Sequence, residues 1–217
     1  MATLDKPPRR RRYDTRRRAA AAALTRERVL RAAKDAFETR GWAGATIPAI
    51  ARAARVSHQT IEAAFGTKAA LLQATVDFSI RGDVSPVPMQ RREVVAEIDA
   101  APTAAAMLDL HARLVRSVSE RSAAIAWAVE HAATSDRRVA RLWRTMTHNR
   151  RFGVTWAAGT LLAKADAPQY LERDYVEDVF WVALDWNTYR TLTRDRGFVA
   201  DEFEAWLRHY YRGMLGA

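Results

Sequence analysis

Apolar residues in this chain recur at three- and four-residue intervals almost throughout. Strict alternation is absent, so the pattern predicts helices and no sheet. Between Thr25 and Trp42, the residues Val29, Ala32, Ala33, Ala36 and Phe37 make one apolar stripe. Arg26, Arg31, Lys34 and Arg40 face away from it, and Gly41 stands where the helix can close. Thr46 is placed to cap a short helix with Pro48 in its first turn and Ile47, Ile50 and Ala51 at helical spacing. Ser57 opens the next helix, with Ile61 and Phe65 four apart on its inward face. Gly66-Thr67-Lys68 then supplies a turn, a cap and a cation ahead of Leu71 and Leu72. Two short helices joined by a tight turn, the second with His58, Gln59 and Thr60 in its first turn, make a helix-turn-helix. One helix braces, and the other presents its N-terminal residues to base edges in a major groove.

Beyond Asp83 the pattern changes. Val84-Ser85-Pro86-Val87-Pro88 cannot continue a helix and marks a connection. The spacing then predicts helices near 68–81, 89–99, 103–119, 121–132, 136–163, 169–194 and 199–214, with Gly153 and Gly159 expected to kink or break the fifth. The expected fold is all-α, a small DNA-binding head on a larger helical body. The expected divisions are a basic arm at 1–18, disordered when free, a head at 19–67 and a body at 68–217.

Charge sharpens the picture at one end. The net charge is +10, and residues 1–31 hold eleven Lys or Arg against Asp5, Asp14 and Glu27, a local +8. The other 186 residues carry 24 basic and 22 acidic side chains, so the basicity belongs to the arm and the first helix. Arginines there, Arg16, Arg17 and Arg18 among them, can neutralise phosphates and enter a narrow minor groove. The apolar share of 49% is ample for a core. With no cysteine, disulfides and thiolate metal sites are excluded, which suits a reducing cytoplasm. No apolar run approaches the roughly 20 residues that cross a bilayer. Ala19 to Leu24 is too short for an export signal.

The block from Ala32 to Leu72 resembles the DNA-binding domain of TetR-family transcriptional regulators. The matching residues are Ala32-Ala33, Phe37, Gly41-Trp42, Thr46, Ile50-Ala51, Ala54, Val56-Ser57, Thr60, Phe65, Lys68 and Leu71-Leu72. The resemblance implies DNA contacts from Thr46, Ser57, His58, Gln59, Thr60 and Lys68. Arg55 stands where the family usually has glycine, and Glu62 where it usually has an aromatic. Glu62 is expected to pair locally with a cation such as Arg55. Ala63 and Ala64 leave base reading to His58, Gln59 and Thr60.

For the body, the resemblance implies effector binding and dimerisation. Candidate pocket residues are Leu110, His111, Leu114, Trp127, Trp143, Met146, Thr147, Phe152 and Trp156, whose aromatic walls favour an apolar or planar effector. His111, His131 and His148 match no zinc spacing, so no metal or cofactor is expected. Tyr175, Val176, Val179, Phe180, Ala183, Trp186 and Tyr189 form one helical stripe, and Phe203, Trp206, Leu207 and Tyr210 another. Such stripes can close a core. The resemblance implies instead that they pair with a second subunit, which would give a homodimer on a palindromic operator.

The function expected is therefore a ligand-responsive, DNA-binding regulator, most simply a repressor. Catalysis finds no support, since no phosphate loop, nucleophile elbow, HExxH or cysteine nucleophile is present. The alternative is a helical ligand- or protein-binding module that holds DNA weakly or non-specifically through its arm.

Overall fold

The computed structural model describes the backbone of residues 9–216 and the side chains of residues 17–216. Ten helices occur among the described residues, and no strand. The first, α1, runs Arg9–Gly44, and α2, α3 and α4 follow at Ile47–Ala54, His58–Phe65 and Lys68–Arg81. After a connection with a 3-10 turn at Met89–Arg91 come α5 (Glu93–Asp99), α6 (Ala104–Ala133) and α7 (Arg137–Leu162). The chain ends in α8 (Arg173–Ala183), α9 (Trp186–Arg190) with a π turn at Thr191–Asp195, and α10 (Ala200–Arg212).

The caps read from the sequence are formed. Thr46, Ser57 and Thr67 accept hydrogen bonds from the backbone N–H groups of Ala49, Thr60 and Ala70 at 3.3, 3.1 and 3.1 Å. Gly41 interrupts α1 with φ 64° and ψ −176°, a conformation open essentially to glycine alone. A Cβ added there would meet nothing within 4 Å, so the strain of a side chain would be purely torsional. Gly41→Ala should lower stability by about 1–3 kcal/mol. Chemical unfolding of the two proteins side by side checks this, and equal midpoints would refute it.

Four expectations are corrected. The disordered arm at 1–18 does not describe Arg9 onward, because α1 already begins there. The five alanines at 19–23 are the strongest helix formers and carry the helix N-terminally. Residues 1–8 lie outside the described residues. The two helices at 103–119 and 121–132 are one, since no Gly or Pro interrupts them and Ser122 Oγ bonds back to Val118 O at 2.7 Å within the helix. Helix α7 likewise runs unbroken through Gly153 and Gly159. Conversely, 169–194 is split: Asp185 caps a new helix by accepting from Asn187 N–H at 2.9 Å.

Buried residues gather in two clusters. One unites Val29, Leu30 and Phe37 of α1 with Ile50, Ile61, Leu71 and Leu72, and continues into Ile125 and Val129 of α6 and Leu142 of α7. The other joins Ile98, Met107 and Leu108 to Leu161, Phe180, Phe203, Leu207 and Tyr211. Helix α4 stands between head and body and is held at its far end by Arg121. That side chain donates to the carbonyls of Ser79 and Ile80 at 3.2 and 3.0 Å, where a helix C-terminus favours a cation. Arg92 secures the following turn through a bidentate pair with Asp83 at 2.7 and 2.8 Å. Among the described residues no helix is long and apolar enough to cross a membrane.

Candidate functional site

The turn between α2 and α3 is made by Arg55, which adopts the left-handed conformation (φ 54°, ψ 47°) that glycine takes most easily. Val56 N–H closes it onto Ala51 O at 3.0 Å. Ile61 is 2% exposed and pins α3 to the head's core. One turn of α3 therefore projects outward with His58, Gln59 and Thr60 all exposed. The Thr60 hydroxyl lies 2.8 Å from that of Ser57, which orders both at the helix start. Glu62 pairs with His58 (Nδ1 to Oε2, 3.5 Å), not with Arg55, because the i,i+4 spacing brings the two side chains together on one helix face.

The hydroxyls of Thr46 and Ser57 already serve as caps, so as DNA contacts they would use their remaining hydrogen-bonding capacity. Lys68 is turned inward: its ammonium donates to the Trp42 carbonyl and sits 4.4 Å from the centre of the Trp42 ring. Burial lowers its pKa, opposed by the charge of Asp136. Arg17 and Arg18 are exposed on α1, and the Arg16 side chain lies outside the described residues. Exposed Arg52 and Arg55 beside the turn were not singled out as DNA contacts from the sequence. Their position next to a recognition helix was the available signal. The link from Trp42 Nε1 to Asp136, 3.1 Å, joins positions 94 apart and gave no signal in the sequence. Asp136 also caps α7, accepting from Arg138 N–H at 2.7 Å, so one carboxylate ties head to body.

A cavity of about 340 Å³ lies among α4, α6 and α7, bounded also by Met89, Leu184 and Trp186. Each wall is a helical stripe: Gln73, Val76, Asp77, Ile80 and Arg81 from α4, His111, Leu114, Val115, Val118 and Ser119 from α6, and Met146, Asn149, Arg150, Gly153 and Trp156 from α7. Of the nine pocket candidates, His111, Leu114, Met146, Phe152 and Trp156 line it. Leu110 packs against the second cluster, and Trp143 against the first. Trp127 is sandwiched on the surface between His131 and Arg190, at 4.0 and 4.5 Å. Thr147 falls off the lining stripe of α7. The candidates that line the cavity lie on the stripes of α6 and α7, and the four that miss it lie off them.

His111 is 1% exposed, with Nδ1 3.0 Å from the Tyr211 hydroxyl and its ring 4.8 Å from that of Phe180. Burial drops its pKa to about 3, well under the ordinary 6.5. As pH falls, the unfolded chain takes up the proton first. The stabilisation is thus complete above pH 6.5 and drains away between 6.5 and 3, at up to about 1.4 kcal/mol per pH unit. Urea midpoints should fall on going from pH 7.5 to 5, and less steeply for His111→Phe. Parallel slopes would count against the assignment. Burial also raises the pKa of Asp77, opposed by the Arg81 charge. Among the described residues no group of three or more His, Asp or Glu could hold a metal.

The expected interface stripes are corrected in part. Val176, Phe180, Ala183 and Phe203 are each 0% exposed, and Val179 and Trp186 at most 8%, so these six fill this chain's own core. An inward stripe on α8 meets α6, α7 and α10 first. Tyr175 is 52% exposed, while Tyr189, Trp206 and Tyr210 are half-buried, the last two stacked 5.0 Å apart.

Residues 29–75 match the family model for bacterial regulatory proteins of the tetR family. The match covers most of the head and the first half of α4. The chain is also similar in fold to two crystal structures. One is of a TetR-family transcriptional regulator from Rhodococcus sp., with TM-score 0.63 and 14% identity, covering 88% of this chain and 98% of that one. The other is of a transcriptional regulator from Rhodococcus sp. Rha1, with TM-score 0.58 and 16% identity, covering 88% and 96%. No curated protein matches the chain in sequence. The α2–α3 unit, a helix-turn-helix, lies within the matched residues.

Proposed function

We propose that the protein is a ligand-responsive repressor that acts as a homodimer on a palindromic operator. Residues 19–67 form the reading head, and 68–217 the body that binds the effector and the second subunit. The observation that carries this reading is the double role of α4. Leu71, Leu72 and Val76 belong to the cluster that holds the head together, while Gln73, Val76, Asp77, Ile80 and Arg81 form one wall of the cavity. A molecule in the cavity therefore bears on the helix that places α3. It alters operator affinity by as much as it prefers one arrangement of the heads over the other.

Base reading falls to His58, Gln59 and Thr60, with phosphate contacts from Arg17, Arg18, Arg52 and Arg55. Lys68 joins them only after leaving Trp42. Tyr175, Trp206 and Tyr210 offer the surface for the second subunit, so that two copies of α3 meet adjacent major grooves. The test is selection of bound duplexes from a random DNA pool, repeated with candidate small molecules, together with sedimentation over a range of concentration. A palindromic consensus released by one compound class is expected. Recovery of no preferred sequence would instead favour the non-specific module, and a strict monomer would defeat the dimer.

A further inference from the structure

The cavity wall narrows the chemistry of the effector. Most of it is apolar, including the rings of Phe152, Trp156 and Trp186. Two guanidinium groups interrupt it, Arg81 in the last turn of α4 and Arg150 midway along α7. The Arg150 side chain is 9% exposed, and its Nη1 reaches Asp185 at 3.3 Å. Its guanidinium lies 3.7 Å from the centre of the Trp181 ring. Its Nε–H is buried with no acceptor. The Arg81 Nε–H is buried and unmatched as well, and that guanidinium donates no hydrogen bond to any described residue.

Arg92 and Arg116 also leave an Nε–H unmatched, but each ends on a carboxylate at 2.8 Å or less, and neither lines the cavity. A buried donor without an acceptor is destabilising, and a bound acceptor relieves it. The single acidic side chain on the wall is Asp77, whose ionised form burial disfavours and Arg81 favours. Asp185 stands outside the wall. Each guanidinium thus has a carboxylate nearby, Asp77 for Arg81 and Asp185 for Arg150, yet each keeps a buried Nε–H for a further acceptor.

We propose that the effector is a monocarboxylate with an apolar, ring-bearing body, its carboxylate held by Arg150 and its body lying against Phe152, Trp156 and Trp186. The planar fork of arginine matches the two oxygens of a carboxylate, and the surrounding apolar wall strengthens that attraction. A cationic head would face two guanidinium groups. This inference rests on the reading of the cavity as the effector site.

The experiment titrates the full-length protein with phenylalkanoates of two to eight chain carbons, and with the matching primary amides and amines, by calorimetry. The same compounds are added to the protein on its selected duplex. The expected result is that at least one acid binds tenfold or more tightly than its amide and amine. Arg150→Gln should reduce that preference below threefold while leaving amide affinity within twofold. An amide or amine that binds as well as its acid overturns the proposal, and if that compound also releases DNA the ligand-responsive reading survives without it. Failure of every compound to bind overturns it too. An acid preference unchanged in Arg150→Gln overturns the role of Arg150. Should Arg150→Gln not fold, the acid-to-amide ratio on the unaltered protein still decides the ligand class. An acid that binds tenfold more tightly yet leaves the duplex bound supports the carboxylate site and defeats the repressor-release reading.

Discussion

Phe180→Ala will unfold more easily than the unaltered chain by about 3–5 kcal/mol, the range for emptying a buried phenylalanine site. Phe180 is 0% exposed, and its ring stands 4.8 Å from His111 and 5.2 Å from Tyr211. Removing the ring leaves a void beside a histidine and a tyrosine that satisfy one another's polar atoms and cannot move apart without losing that bond. Chemical unfolding measured well above the dissociation concentration of any dimer reads the loss. Tyr175→Asp is the contrast, since the side chain at 175 is 52% exposed on the same helix. It should shift folding stability by no more than about 0.5 kcal/mol. It should, however, place a like charge on each side of the proposed subunit contact and weaken self-association in sedimentation. The reverse pattern, a stable Phe180→Ala that has become monomeric, would return Phe180 to the subunit interface and refute its place in the core.

Deleting residues 1–18 will weaken operator binding on the order of 10- to 100-fold at about 0.15 M salt and flatten its salt dependence. The deleted stretch carries Lys6 and seven arginines against Asp5 and Asp14. From Arg9 the backbone is helical, and only part of the seven arginines is expected to meet one duplex together. Each that neutralises a phosphate contributes about 0.9 to the slope of log affinity against log salt. With about three engaged, the slope falls by roughly 3. Binding isotherms at four or more salt concentrations measure it. An unchanged slope would mean that the arginines stay in solvent, and would leave the duplex to α3 and the arginines around it.

The head was legible in the sequence because every feature that shapes it is local. Thr46, Ser57, Thr67 and Gly41 act on backbone groups within four residues, so spacing alone places them. The body was legible as helices but not as helix ends, because Asp185 is an ordinary acidic residue until the chain turns to meet it. What was not legible depends on partners far along the chain. Phe180 reads equally well as core or interface until α6 and α10 are seen to cover it. Lys68 reads as a free cation until Trp42, 26 residues earlier, offers it a carbonyl and a ring face. The cavity stripe on α6 could have been drawn from His111, Leu114 and Val118 by period alone. Trp127 and Trp143 are aromatic but lie off the cavity wall.

The grip of Arg121 on the carbonyls of Ser79 and Ile80 makes the far end of α4 a fulcrum. At 1.5 Å per residue, Gln73 on the cavity wall lies roughly 10 Å from that fulcrum, and Lys68 about 18 Å. A sideways push of about 1 Å at Gln73 therefore emerges as about 1.7 Å at Lys68, where the helix meets the head. On the proposed function, the helix would work as a lever whose short arm borders the cavity and whose long arm carries α3, so that a small stroke inside would become a larger swing at α3.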